Sequence, residues 1–312
     1  SVLLLLPIPT SAEGSESLTL SVTPPLFQLT IGPGESWASS LKVINSNPYD
    51  VTLYASVMNF SSSGETGQPK LKPMTGGLEA GTSGLAQWIE VSRESFVVPA
   101  EKSAEVPFSV NIPDDAPPGG HYAAILVGTQ PLRVSSTGPT ISISTLVSSL
   151  FFVRVRGEII EKGDIVSFSS SPYFNQKPET MFMLRFKNSG NVHLLPQGDI
   201  TVYTMWGRKI GTIPINEKGG FGSVLPESTR QYEFAWDGEE GIFDLGFHTA
   251  VATVTFGQEE RQNISASTHF WVVPVKPLLA LLSTFALLVL IATLLIRRYI
   301  RKSLRAITGR LQ

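Results

Sequence analysis

The residues best suited to proton transfer or metal ligation are four histidines: His121, His193, His248 and His269. Their spacing argues against both roles. No two lie within five residues, and none belongs to an HExxH pattern, which would bring two imidazoles to one helix face. His121 and His248 each follow a turn at the start of an apolar run, and His193 lies in a connection, so all three are expected at strand edges or in turns. The adjacent carboxylates Asp114–Asp115 and Glu239–Glu240 offer no acid/base pair. A glycosidase needs two carboxylates facing each other across a cleft, whereas neighbours on an extended segment point to opposite sides. No serine stands in a G-x-S-x-G elbow, and the chain has no cysteine nucleophile. Gly219-Gly220-Phe221-Gly222 lacks the Lys-Ser/Thr of a phosphate loop and reads as a hairpin or loop. Asp237-Gly238-Glu239-Glu240 supplies too few oxygens at EF-hand offsets and reads as a turn. The expectation is a protein that is not an enzyme, with no cofactor and no metal.

Composition narrows the class. The 312 residues suffice for two ordinary domains with additions. Charged residues make up only 16%, while Gly (27) and Pro (22) are frequent, which favours short strands joined by turns. Without cysteine there are no disulfides and no thiolate zinc sites. Charge is unevenly spread. Six of the 24 basic residues lie in the last 16 positions, so 18 face all 26 acidic residues elsewhere. A net acidic body argues against nucleic-acid binding, which needs a phosphate-neutralising surface.

The two ends carry an address. Residues 277–296, PLLALLSTFALLVLIATLLI, contain no charge. As a helix they span about 30 Å, the thickness of a bilayer's hydrocarbon core. Arg297, Arg298, Arg301 and Lys302 follow at once, in the basic tail 297–312. Lys and Arg concentrate on the cytoplasmic side of spans. A single-pass type I protein of the cell membrane is expected, with its C-terminus cytoplasmic and its body outside. Lys276 precedes the span, and Trp271 sits where an interfacial aromatic is expected. In the tail, Ile300, Leu304, Ile307 and Leu311 form one apolar stripe flanked by cations, expected to lie on anionic inner-leaflet lipid. The opening SVLLLLPIPTSA (1–12) reads as the remnant of a signal peptide with a small-residue cleavage site at Thr10-Ser11-Ala12.

Between these ends the elements are strands. LTLSV, SSLKVIN, VTLYASV, WIEVS, VPFSVNI, HYAAILVG, ISIST and LFFVRVRG alternate or are bounded by turn residues. A second series follows: DIVSFSS, MFMLRFKN, DITVYTMW, KIGTIPI, RQYEFAW, HTAVATVTF and STHFWVVP. The fold class expected is all-β: two tandem immunoglobulin-like sandwiches over 17–157 and 158–274, then one transmembrane helix. The halves echo one another. In each, a strand ends in Asn, a short Asn/Pro/Gly turn follows, and another strand begins: LKVINSNPYDVTLY and LRFKNSGNVHLLPQGDITVY. Residues 61–84 are rich in Gly, Ser and Thr and read as a long exposed loop.

This layout resembles the cell-surface proteins of Gram-positive bacteria that interact with WxL-domain proteins. The resemblance rests on SVTPPLFQLTIGPGESWASSLKVINSNPYDVTLYASV, on FVVPAEKSAEVPFSVNIPDDAPPGGHYAAILV, and on a C-terminal span with a basic tail. It implies a first domain similar to a peptidoglycan-binding module and a second that binds a host or partner protein. The chain is therefore expected to bind a cell-wall polymer or another surface protein. The alternative is an accessory subunit of a membrane secretion or surface-assembly complex. Among the tryptophans, Trp88 and Trp236 lie in strand-like runs and are expected in the core. Trp206 precedes Gly207 in a TMWGRK turn, where core packing and an exposed contact are both open. Trp206 and Arg208 are the candidate partner contact.

Overall fold

The computed structural model describes residues 18–72, 84–130, 146–217, 222–238, 246–273 and 275–308; for 275–277 and 301–308 only the backbone is described. The signal-peptide remnant, the run ISIST, Gly219–Phe221, Glu239–Glu240, Leu311 and residues 73–83 lie outside these, as do the side chains of Lys276, Arg301 and Lys302. The chain is mostly β, with two sandwiches built from four sheets and one C-terminal apolar helix. It divides into two compact units. The first comprises residues 1–162, 188–194 and 225–228; the second comprises 163–187, 195–224 and 229–312.

In the first unit, β1 (Leu20–Thr23), β3 (Ser36–Asn45), β8 (Ser103–Asn111) and β6 (Ile89–Val91) form one sheet in that order. The facing sheet runs β2 (Leu26–Ile31), β10 (Leu146–Val155), β9 (Gly119–Gly128), β4 (Val51–Ser63) and β5 (Gln68–Lys72), with β7 (Phe96–Val98) added to the start of β4. Alternation decides which side chains meet between them. Leu41 and Val43 from β3 and Val106, Phe108 and Val110 from β8 face Phe151, Val153 and Val155 from β10. Phe27 stacks on Phe151 at 4.7 Å, and Phe108 meets Phe151 edge-on at 5.1 Å. Such pairs add about 0.5–1.5 kcal/mol each beyond the area they bury. Trp88 is in this core, as expected.

In the second unit, β11 (Gly163–Ser171), β13 (Glu179–Asn188) and β16 (Ser228–Asp237) form one sheet. The other runs β12 (Phe174–Asn175), β18 (Gln262–Val272), β17 (Gly246–Phe256), β14 (Gln197–Thr204) and β15 (Lys209–Ile215). Every second residue of β13 from Thr180 to Asn188 is buried, as are alternate residues of β17 from His248 to Phe256. Trp236 also belongs to the core. The helix α1 (Val275–Thr308) is continuous through the uncharged apolar run and the start of the basic tail.

The sequence echo has a physical basis. In both sandwiches the first strand breaks at proline, which has no N–H to give the ladder. The break falls at Pro24-Pro25 in one and at Pro172 in the other. The second half then joins the opposite sheet, β2 parallel to β10 and β12 parallel to β18. Asn45 and Asn188 then make the same turn. The Oδ1 of Asn45 accepts from the Asn47 N–H at 2.9 Å and its Nδ2 donates to the Tyr49 carbonyl at 2.8 Å. The Oδ1 of Asn188 accepts from the Gly190 N–H at 2.9 Å and its Nδ2 donates to the Val192 carbonyl at 2.7 Å. Both asparagines are fully buried, so the amide replaces water for turn groups that strand pairing cannot reach.

One expectation changes. Residues 61–72 are not loop: β4 runs on to Ser63 and turns back as β5, with Asn59 opposite Lys72. Pairing with β5 carries β4 through the Ser61–Ser63 run. Glu158–Lys162 is a connection, held where the Asn191 amide donates to the Glu158 carbonyl at 2.8 Å.

Candidate functional site

Three of the four histidines pack into the fold, and the fourth, His269, is exposed on β18. His248 is fully buried, stacked on Phe270 at 5.2 Å, with Nδ1 at 3.0 Å from the Gly246 carbonyl. That overturns its placement at a strand edge: the pleat of β17 turns it inward. His121 is half-buried beside Trp88, with Nε2 at 2.9 Å from the Pro117 carbonyl; burial lowers its pKa, against the smaller raising effect of that hydrogen bond. His193 is also buried rather than exposed in its connection. Its ring meets Phe152 edge-on at 4.9 Å, and the Tyr122 hydroxyl lies 3.4 Å from Nδ1. Close by, Arg154 and Glu161 form an ion pair at 2.8 Å, each about 5% exposed or less. Burial first, then the Arg154 charge, hold the His193 pKa down at about 4, with Glu161 acting weakly the other way. A neutral imidazole can therefore accept the Tyr122 proton in a hydrogen bond. Burial pushes the Tyr122 phenol above its ordinary range. Within the first unit this cluster packs residues 188–194 against β9 and β10, and the Gly120 N–H donates to the Asn191 carbonyl at 2.8 Å. Among the described residues no group of three or more His, Asp or Glu is placed to hold a metal ion.

The exposed feature with binding character is one end of the five-stranded sheet. Trp206 is 76% exposed, so it is not packed in the core. It sits in a tight turn between β14 and β15. The Gly207 N–H donates to the Thr204 carbonyl at 2.9 Å and the Thr204 N–H to the Arg208 carbonyl at 2.9 Å. Gly207 has φ +77, a conformation glycine adopts without a Cβ penalty. Arg208 and Lys209 are exposed beside it. Strand register then gathers residues that are far apart in sequence. Phe174 of β12 lies opposite Trp271 of β18, and Trp271 lies opposite Phe247 of β17. Thr204 lies opposite His248, so Met205 follows beside Phe247 at the same end. The Trp271 N–H donates to the Tyr173 carbonyl and the Val273 N–H to the Asn175 carbonyl, both at 2.8 Å, which holds β12 in place. Tyr173 and Phe174 meet edge-on at 5.0 Å, and Phe247 and Trp271 at 5.5 Å. Ten large apolar residues outside α1 are exposed among those described, and five of them (Tyr173, Phe174, Met205, Trp206 and Trp271) lie at this one end.

Trp206 and Trp271, singled out from sequence, thus come to one end of one sheet. Tyr173, Phe174, Met205 and Phe247 were missed. A signal existed for two of them: SPYF sets two large aromatic residues together just after a proline, where the ladder breaks, and both are exposed. Along α1, Arg297 and Arg298 are exposed, while Lys276, Arg301 and Lys302 are placed by their backbone alone.

No family model matches this sequence, and no curated protein matches it either. Among solved structures the chain is similar to fimbrial chaperones. One is the class 5 fimbriae chaperone CfaA, at 13% identity and a TM-score of 0.38, covering 80% of this chain and 99% of that one. A second is the E. coli chaperone DraB, at 14% identity and 0.36, covering 80% and 98%. A third is the CsuC–CsuE pre-assembly complex of Acinetobacter baumannii, at 13% and 0.37, covering 79% and 97%. The likeness to these PapD-like, two-domain chaperones is distant.

Proposed function

We propose that this protein is a non-catalytic, single-pass protein of the bacterial surface, of the kind that interacts with WxL-domain proteins. Residues 17–157 and 158–274 are its two external modules, and the tail 297–312 is cytoplasmic. The external modules bind a cell-wall polymer or another surface protein. The observation that carries this reading is α1. Its stretch Leu278–Ile300 is 23 residues long, carries no charge as far as Ile296, and none of it is buried against the rest of the chain. A helix apolar on every face is stable when lipid surrounds it. The cationic residues that follow support the orientation.

Crosslinking the external modules on intact cells tests the binding. A wall fraction or a surface protein is the expected adduct. Hydrolysis of peptidoglycan or polysaccharide by the purified protein would overturn the reading. Exchanging residues 277–312 for an unrelated anchor should leave binding intact; loss of function would instead mark an accessory subunit that works through its membrane segment.

A further inference from the structure

We infer that the aromatic end of the five-stranded sheet is a lipid-facing collar, seated in the headgroup layer of the membrane that α1 crosses. The inference rests on the reading of α1 as a membrane anchor.

Chain connectivity commits this surface to lipid. β18 ends at Val272 and α1 begins at Val275, so at most about 11 Å of extended chain separates them. Leu278, the first residue of the span, follows within one helical turn. The end of the sheet that carries Trp271 is therefore the end tethered to the bilayer. Tyr173, Phe174, Trp206 and Trp271 are exposed there. At the other end of the same strands, the β17–β18 connection carries Gln258, Glu259, Glu260 and Arg261, all exposed and polar. An eleven-residue strand places the two ends roughly 35 Å apart.

The residue types fit the interface rather than the hydrocarbon. Trp and Tyr have an apolar body and a polar handle, and collect at headgroup depth. Met205 and Phe174 supply apolar surface beside them. Arg208 and Lys209 flank Trp206 on the same turn, where an ammonium or guanidinium can meet lipid phosphate while its stem lies along apolar groups. Trp206 and Arg208, the candidate protein contact, are on this account a lipid contact. Left in water, such a cluster of exposed aromatic residues has no compensating partner.

The chain has no cysteine, so a single introduced thiol can report position. The full chain is reconstituted in vesicles of phosphatidylcholine with phosphatidylglycerol. An environment-sensitive fluorophore is placed at Met205→Cys or, as the far-end control, at Arg261→Cys. Both sites are exposed, so labelling leaves the core untouched. Nitroxide lipids labelled near the headgroup should quench position 205 severalfold more than position 261. A water-soluble nitroxide should show the reverse order. Adding Phe174→Ser and Trp206→Ser should reduce lipid quenching at 205. If the protein floats with the vesicles yet position 205 is quenched only from water, the collar is wrong and the anchor stands. If position 205 is shielded from both quenchers and opens on dilution of the protein in lipid, a second copy covers the surface and the lipid assignment fails. If the protein does not float with the vesicles, the anchor reading fails and takes the collar with it.

Discussion

Burial of His193 among Tyr122, Phe152 and the Arg154–Glu161 pair makes its imidazole a neutral packing group, and its protonation opposes folding. In the unfolded chain the ring titrates near 6.5; in the folded protein it does so at about 4. The unfolded state therefore binds the proton first as pH falls. The stability that depends on a neutral His193 is complete above pH 6.5 and is lost progressively towards pH 4, by up to about 3 kcal/mol. His121 shifts in the same direction. In detergent, His193→Gln should flatten the dependence of urea-unfolding free energy on pH between 7 and 4.5; an unchanged slope would show that this ring does not titrate as described. The cluster was not legible in the sequence. Tyr122 and His193 are 71 residues apart, and no local pattern links them to Arg154 or Glu161. A histidine in a Gly-, Asn- and Pro-rich connection reads as exposed. Here the connection itself is packed against a sheet, and the ring is buried with it.

At the scale of elements, the two sandwiches use one device: a strand that ends in a buried asparagine whose amide organises the next turn. Asn188 satisfies the Gly190 N–H and the Val192 carbonyl, and Asn45 does the same for Asn47 and Tyr49 while also donating to the Val98 carbonyl at 3.0 Å. Alanine at either position strands a buried donor and a buried acceptor. Asn45→Ala and Asn188→Ala are each expected to cost about 1–3 kcal/mol. Lys187→Ala, one residue away and exposed, should stay within about 0.5 kcal/mol. Chemical denaturation of the three variants separates the outcomes; equal effects would remove the asparagines from the turn's support. This repeat was legible as sequence because it is local, Asn followed within four residues by the groups it bonds. The hairpin β4–β5 was not. Its Ser- and Gly-rich composition reads as loop, and beyond Asn59, where the pairing with β9 ends, pairing with β5 carries β4 through to Ser63.

For the whole molecule, the proposed orientation rests on charge. Replacing Arg297, Arg298, Arg301 and Lys302 by Gln should leave insertion intact and weaken the preference for a cytoplasmic C-terminus. Protease added to intact cells reads this out. The native chain should lose its external modules and keep a protected C-terminal tag, whereas the variant should yield a fraction with the tag exposed. Unchanged protection would place the orienting signal elsewhere. The fold class and a helix apolar enough to cross a membrane were both readable in the sequence, because both are local. Two-residue alternation marks a strand with one buried face, and an uncharged run of bilayer length marks a span. The sequence also ruled out disulfides and thiolate metal sites, since the residue is missing altogether. Tertiary structure alone decided which outward-facing side chains become neighbours. Phe174, Met205, Phe247 and Trp271 meet because the register of four strands brings them to one end of one sheet. Register depends on pairing between distant segments, and no window of sequence contains it.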